Sequence, residues 1–284
     1  MLVDLHTHVN APEHLIGTKF MEDCIRGGGS YGGMICGRER HFSEEMAQAD
    51  IACIMALDAP ASGLVVPNEY CAAYQRDFPD RIVGFASVDP NRPDAADGLK
   101  HAIMELGLKG LKLGPIYQHF HPLDEKRAYP VYEMALKLGI PVMWHMGTSF
   151  VEKGPLEYTR PIHIDRVALD FPDLRQVIAH LGHPWEADTI VLIRKQPNVY
   201  ADISALYYRP WQFYNSMVLA MEYKVTHKLF FGTDYPVTTP QSTIDGCMAV
   251  RRFGEGTGLP EIPKSVFDGI IGRNPLEILG IRMG

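Results

Sequence analysis

Eight short apolar runs, separated by stretches of helical periodicity, narrow the folds open to this chain more than any other feature. They are LVDLHTH (2–8), DIACIMAL (50–57), RIVGFASV (81–88), GLKGLKL (107–113), PVMWHM (141–146), RQVIAHL (175–181), NVYADIS (198–204) and KLFFGTD (228–234). Helical segments lie between them: 93–106 begins with Pro93 and Asp94, 129–139 ends on Gly139, and 209–224 is the longest. Strands that alternate with helices pair in parallel, because parallel neighbours need a crossover. Eight such units in 284 residues predict an α/β chain folded as one (β/α)8 TIM barrel over 1–284, with no composition break to mark a second domain.

One irregularity interrupts the pattern. Residues 9–48, between the first two runs, contain RGGGSYGG, too glycine-rich for a helix and too long for an ordinary connection. In a barrel this loop follows strand one at the C-terminal face, so a lid or pocket wall is expected rather than a linker. Net charge is −7 and no basic stripe is present, which argues against nucleic acid as partner. No apolar stretch reaches membrane-spanning length, and acidic and histidine residues interrupt the N-terminus too early for a secretory signal. The five cysteines show no Cys-x-x-Cys pairing. Cys53 and Cys71 read as buried thiols, Cys24 and Cys36 as residues that could be exposed, and the set suits a reduced, cytoplasmic compartment.

Polar residues recur where the apolar runs end. The first run ends in His6 and His8, the fifth reaches His145, the sixth His180 and then His183, and the eighth Asp234. Residues i and i+2 of a strand point to one side, so His6 and His8 present two imidazoles together, with Asp4 expected deeper on the same face. A single histidine bonded to backbone, or an aspartate in a turn, would need no further account. Four ligand-type side chains at three strand ends of one barrel do. Imidazole nitrogen and carboxylate oxygen suit a borderline divalent ion, Zn2+ first, with Mn2+, Fe2+ or Co2+ as substitutes. His6, His8, His145 and Asp234 are the expected ligands, leaving a coordination position open for water or substrate.

The opening Asp-x-His-x-His, HMG, VIAHLGHPW and GTDYP, with GLKGLKLGP, HIDRVALDFPDL, PNVYADIS and the closing IIGRNPLEILGI, resemble the amidohydrolase superfamily. The likeness is greatest to its amidohydrolase-related branch, which includes aminocarboxymuconate semialdehyde decarboxylase, and runs over nearly the whole chain. It implies a distorted barrel of the metallo-dependent hydrolase type, with one metal on His6, His8, His145 and Asp234, and a catalytic histidine beside the metal at His180. Binuclear members carry a carboxylated lysine or a glutamate on strand four; Lys112 lies there and is read as unmodified, with a single ion. His119 and His121 fall in a Pro-containing loop and read as exposed or rim residues.

The expected function is that of a metal-dependent hydrolase. A metal-activated water attacks an amide, ester or lactone carbonyl of a small, carboxylate-bearing substrate, and His180 and Asp234 move the proton. The alternative on the same site is a non-oxidative decarboxylase, a carbon–carbon lyase of an unsaturated or aromatic acid. A lesser one is an inactive ligand-binding barrel. Polymerase-and-histidinol-phosphatase phosphoesterases share the Asp-Leu-His-x-His opening but not GTDYP. TatD-like nucleases prefer glutamates where this chain has Lys112 and Gly232. A substrate carboxylate would pair with Arg38, Arg40, Arg160, Arg209 or Lys112, each equally well explained as a surface charge. Trp144 and Trp185 read as packing residues, with Trp185 a second choice for the pocket wall. Only a small-molecule substrate is expected as partner, and the sequence leaves room for a homodimer.

Overall fold

The structure is a computed structural model that describes residues 1–283. Each apolar run forms a strand: β1 Val3–His8, β2 Ile51–Met55, β3 Ile82–Ala86, β4 Gly110–Leu113, β5 Val142–Trp144, β6 Gln176–Ile178, β7 Val199–Asp202 and β8 Leu229–Phe230. They pair in parallel in chain order. Three backbone hydrogen bonds close the barrel between the last strand and the first: Leu5 N–H to Phe231 O at 3.2 Å, Asp234 N–H to His6 O at 2.7 Å and His8 N–H to Tyr235 O at 2.8 Å. The expected helices are present at Ala95–Met104, Tyr129–Leu138 and Pro210–Glu222. Gly139 closes the second of these with φ +69°, the left-handed conformation that glycine enters without a Cβ clash. No helix among the described residues is long and apolar enough to cross a membrane.

Two apolar cores follow from strand alternation. The larger lies between the sheet and its helices. The smaller fills the barrel interior with Leu5, Cys53, Phe85, Met143 and Phe230, and Leu276, Leu279 and Ile281 floor it. Gly110 makes room for this packing, since a Cβ there would lie 2.3 Å from Phe85 Cε1. The register of β1 against β2 slips by one residue between Asp4 and Thr7. This bulge shifts the phase of the alternation. Val3 and Leu5 join the inner core, and His6 and His8 still turn inward above them. Asp4, expected to share their face, turns away instead. Its Oδ1 accepts the N–H of Thr233 at 3.1 Å and of His6 at 3.0 Å, across the closing seam.

The long connection after β1 is folded. It carries two short helices, Lys19–Arg26 and Arg38–Glu44, that its glycine content had obscured. After β2 an unanticipated hairpin, Leu57–Ala59 with Leu64–Val66, extends the rim. All five cysteines are buried and free, Cys24 and Cys36 included. His41, fully buried, pins the loop to the barrel: its Nδ1 and Nε2 lie 3.1 Å from Tyr74 Oη and 3.0 Å from Thr7 Oγ1. Burial pulls its pKa from 6.5 to about 3. Below pH 6.5 the unfolded chain therefore takes up a proton here that the folded chain refuses. This contribution to stability is intact above 6.5 and is lost as pH falls toward about 3. Urea denaturation between pH 7 and pH 5 checks it: His41→Gln should flatten the acid loss of stability by up to about 1.4 kcal/mol per pH unit.

Candidate active site

Polar side chains replace apolar ones at the last inward position of several strands. Inward Met143 leads to His145, Gly110 to Lys112 and Tyr200 to Asp202, while β1 brings in His6 and His8 above its bulge. All of these groups meet at the C-terminal mouth, where barrel chemistry is done. His180 and Asp234, just beyond β6 and β8, have φ of +56° and +60°, a conformation uncommon in residues other than glycine and concentrated at functional sites.

The cluster is compact. One ring nitrogen of His6, one of His180 and a carboxylate oxygen of Asp234 all lie within 4.8 Å of one another. His8 Nε2 is 3.0 Å from Asp234 Oδ1, and His6 Nε2 is 3.5 Å from the same oxygen. His180 Nε2 stands 4.0 Å from Asp234 Oδ2. The His145 ring is 5.3 Å from that of His180, with its Nε2 3.2 Å from the Thr148 carbonyl. The structure thus gathers His6, His180 and Asp234 around one point, with His8 held against the Asp234 carboxylate. His145 lines the cavity beside them, outside the tightest group of donors. Lys112 is buried at the same point, its Nζ 2.9 Å from His6 Nε2.

Asp202, to which the sequence reading gave no role, orders the cluster. Its Oδ2 is 3.0 Å from His6 Nδ1 and its Oδ1 accepts the backbone N–H of His180 at 2.8 Å. Ser204 Oγ lies 2.8 Å from His180 Nδ1, and the Ser204 carbonyl 3.2 Å from it. The signal was available, since Asp202 is a polar residue ending an apolar run like the others. Gly147, of HMG, holds the wall after β5. Its φ is +100° and a Cβ there would lie 2.2 Å from the His183 carbonyl, so only glycine fits.

These hydrogen bonds settle which nitrogens carry protons. Asp202 and the Thr148 and Ser204 carbonyls only accept, so His6 Nδ1, His145 Nε2 and His180 Nδ1 donate. The opposite nitrogens of His6 and His145 keep their lone pairs. Burial, joined by the Lys112 charge, pulls the His6 pKa to about 3, and burial also lowers His8 and His145, so the imidazoles are neutral at pH 7. Burial alone would raise the Asp234 carboxyl, but His180, His6 and the hydrogen bond from His8 outweigh it and hold it well below the usual range. Buried His8 Nδ1 has no hydrogen-bond partner among the described residues. An imidazole nitrogen and a carboxylate oxygen 3.0 Å apart need a proton or a cation between them. His6 and His145, neutral and oriented through their second nitrogen, together with His8 and an ionised carboxylate, form a donor set that fits a divalent cation. Lys112 is the one opposing feature: its ammonium, lowered to about pKa 8 by burial, faces the His6 lone pair that such an ion would use.

A cavity of about 500 Å3 opens over the cluster, lined by His145, His180 and Asp234 and walled in part by Gly27–Gly29, Phe150 and Arg209. The long loop is therefore a pocket wall. A second group of donors, His121, Glu157 and His163, lies elsewhere on the rim. His121 Nδ1 accepts the Leu123 N–H, so its Nε2 is the protonated nitrogen facing Glu157, which makes a hydrogen-bonded cluster rather than a ligand set. Trp144 is fully buried and donates to Gln176, while Trp185 packs under Arg160.

A closed parallel barrel with imidazoles and carboxylates gathered at its C-terminal mouth defines a barrel enzyme. The chain belongs to the amidohydrolase family, whose model matches residues 3–281. Comparison with curated proteins finds no match. Among solved structures the fold is similar to an uncharacterized TIM-barrel protein from Bordetella bronchiseptica (23% identity, 98% of both chains, TM-score 0.75). It is also similar to 5-carboxyvanillate decarboxylase from Novosphingobium aromaticivorans with bound manganese (14% identity, 99% of this chain and 97% of that one, TM-score 0.67). A third is a probable 2-pyrone-4,6-dicarboxylic acid hydrolase from Acinetobacter baumannii with citric acid bound (17%, 99% of both, TM-score 0.60). Decarboxylases of hydroxybenzoic acids recur among the matches.

Loss of the Asp202 carboxylate should be felt through His6. Asp202→Asn is expected to weaken Mn2+ or Zn2+ affinity about 10- to 100-fold in a competitive chelator titration, with the fold retained.

Proposed function

We propose that the chain is a metal-dependent carboxy-lyase that releases CO2, without oxidation, from a small aromatic or unsaturated carboxylic acid. The observation that carries this reading is the cluster itself: neutral imidazoles, an ionised Asp234 and the buried Lys112 ammonium beneath a cavity walled by Tyr117, Phe150, Leu206 and Val237. A flat apolar substrate matches such walls, and its carboxylate matches the positive charge at their base. The expectation of hydrolysis rests on the same residues. The assigned relatives support the lyase more strongly, since 5-carboxyvanillate and 2,6-dihydroxybenzoate decarboxylases recur among them. The pyrone hydrolase supports hydrolysis as the second reading.

His6, His8, His145 and Asp234 are the proposed ligands of one divalent ion. When bound it would supply positive charge for the substrate's carboxylate and neighbouring oxygen. Manganese in three of the decarboxylase neighbour structures supports Mn2+ beside the Zn2+ expected from the donors. In the reaction a proton adds to the carbon that bears the carboxylate. The carbon–carbon bond then breaks, its electron pair re-forms the double bond that took up the proton, and CO2 leaves. His180 suits the proton transfer: Ser204 fixes its Nδ1, so only Nε2, on the side of Asp234, exchanges a proton with the cavity. The apolar walls exclude water from the carbon that takes up the proton.

Two measurements test this. Metal-loaded protein, offered hydroxybenzoic and muconic-type acids, is expected to release CO2 from at least one; hydrolysis of lactones or esters with no CO2 from any acid would favour the second reading. His180→Ala should keep one equivalent of metal and lose about 100-fold or more in kcat. Unchanged turnover would remove His180 from the chemistry.

A further inference from the structure

Five cations are candidates to meet a substrate carboxylate, and the structure separates them. Arg38 is paired with Asp77, Arg40 with Glu44 at 3.0 Å and Arg160 with Asp188 at 3.0 Å. Their charges are spent on surface or rim partners. Lys112 lines a small inner cavity of about 50 Å3, and Arg209 lines the large outer one. The two cavities share Met34, Tyr117, His145, Asp234 and Val237 as walls, so one ligand could reach from one to the other.

Arg209 is held in place without being neutralised. Its Nη1 donates to the Ala205 carbonyl at 3.2 Å, and the guanidinium lies 4.6 Å over the Tyr208 ring. Ala205 itself lines the cavity with φ +53°, a strained conformation for alanine, and so turns its carbonyl to this contact. No carboxylate among the described residues lies within ion-pair distance of Arg209. A guanidinium has five N–H donors in a rigid fork, and contacts to the Ala205 carbonyl and to Tyr208 leave the others available. Its planar geometry matches a carboxylate through two parallel hydrogen bonds.

We infer that Arg209 anchors a second carboxylate, so that the substrate is a dicarboxylic acid: one carboxylate at the imidazole–Asp234 cluster near Lys112, the other at the cavity rim. This rests on the proposal that the cavity binds an organic acid, but not on which bond is broken there. It also explains the division of positive charge. A monocarboxylate would be served by the cluster and Lys112 alone. A dicarboxylate would leave one charged end in an apolar-walled pocket unless a cation met it.

The test reads binding rather than turnover. Benzoate and the benzenedicarboxylate isomers are titrated calorimetrically into metal-loaded protein. The best dicarboxylate is expected to bind about tenfold or more tightly than benzoate. In Arg209→Met that ratio should fall close to one, and in Arg209→Lys it should lie between, because lysine keeps the charge and loses the fork. A ratio near one in the natural chain would overturn the inference, as would no measurable binding of any dicarboxylate. A ratio unchanged in Arg209→Met would overturn it too, leaving Arg209 a solvated rim charge. Should Arg209→Met fail to fold, Arg209→Lys and Arg209→Gln carry the same comparison. Absence of CO2 release would defeat the lyase proposal and leave these ratios as they are.

Discussion

The contact between Asp202 and His6 is the one on which the site's order depends. A carboxylate at the end of β7 lies 3.0 Å from His6 Nδ1, and its second oxygen holds the His180 backbone N–H at 2.8 Å. One side chain thus ties β7 to β1 and to the turn after β6. Burial would raise this carboxyl, yet the hydrogen bonds it accepts from His6 and Ser204 keep it ionised. The ionised state matters because only an acceptor fixes the proton on His6 Nδ1. That leaves Nε2 as a lone pair aimed at the cluster. Without that constraint the ring could present either face, and the donor set would lose its common point.

Around this contact the barrel works as a layered device. Apolar residues fill the interior beneath, and polar residues replace them at the final inward position. Burial does two things at once: it excludes water from the base of the cavity and it strips charge from the imidazoles. Asp234, held ionised by its histidine neighbours, supplies the negative charge that a bound cation would compensate. Lys112 places one fixed positive charge there and Arg209 a second at the rim. The geometry therefore distinguishes an inner reacting end from an outer anchoring end. The loop after β1, tied down by His41, keeps the outer wall in place.

Much of this was legible in the residues. Strand position followed from apolar runs, because a parallel barrel strand is buried on both faces and tolerates few polar residues except at its mouth. That same rule exposed His6, His8, His145, His180 and Asp234. It also marked Asp202, whose role escaped because its importance lies in what it holds, and side-chain partners 196 residues apart leave no local trace. The bulge in β1 was invisible for a related reason. An extra residue changes facing without changing composition, so Asp4 was placed on the wrong side. The helices Lys19–Arg26 and Arg38–Glu44 were hidden beside the glycines that separate them. Among the cations, sequence offered five equivalent candidates, and only the salt bridges of Arg38, Arg40 and Arg160 reduced them to Lys112 and Arg209.

The proposed function needs one divalent ion among the strand-end imidazoles and Asp234. Crystals grown with Mn2+ and measured at an anomalous wavelength test it most directly. The expected result is a single strong anomalous peak per chain at the mouth, in contact with His6 and Asp234, with the Lys112 ammonium withdrawn from His6 Nε2. Crystals that show no peak there, with Lys112 still bonded to His6, would contradict it.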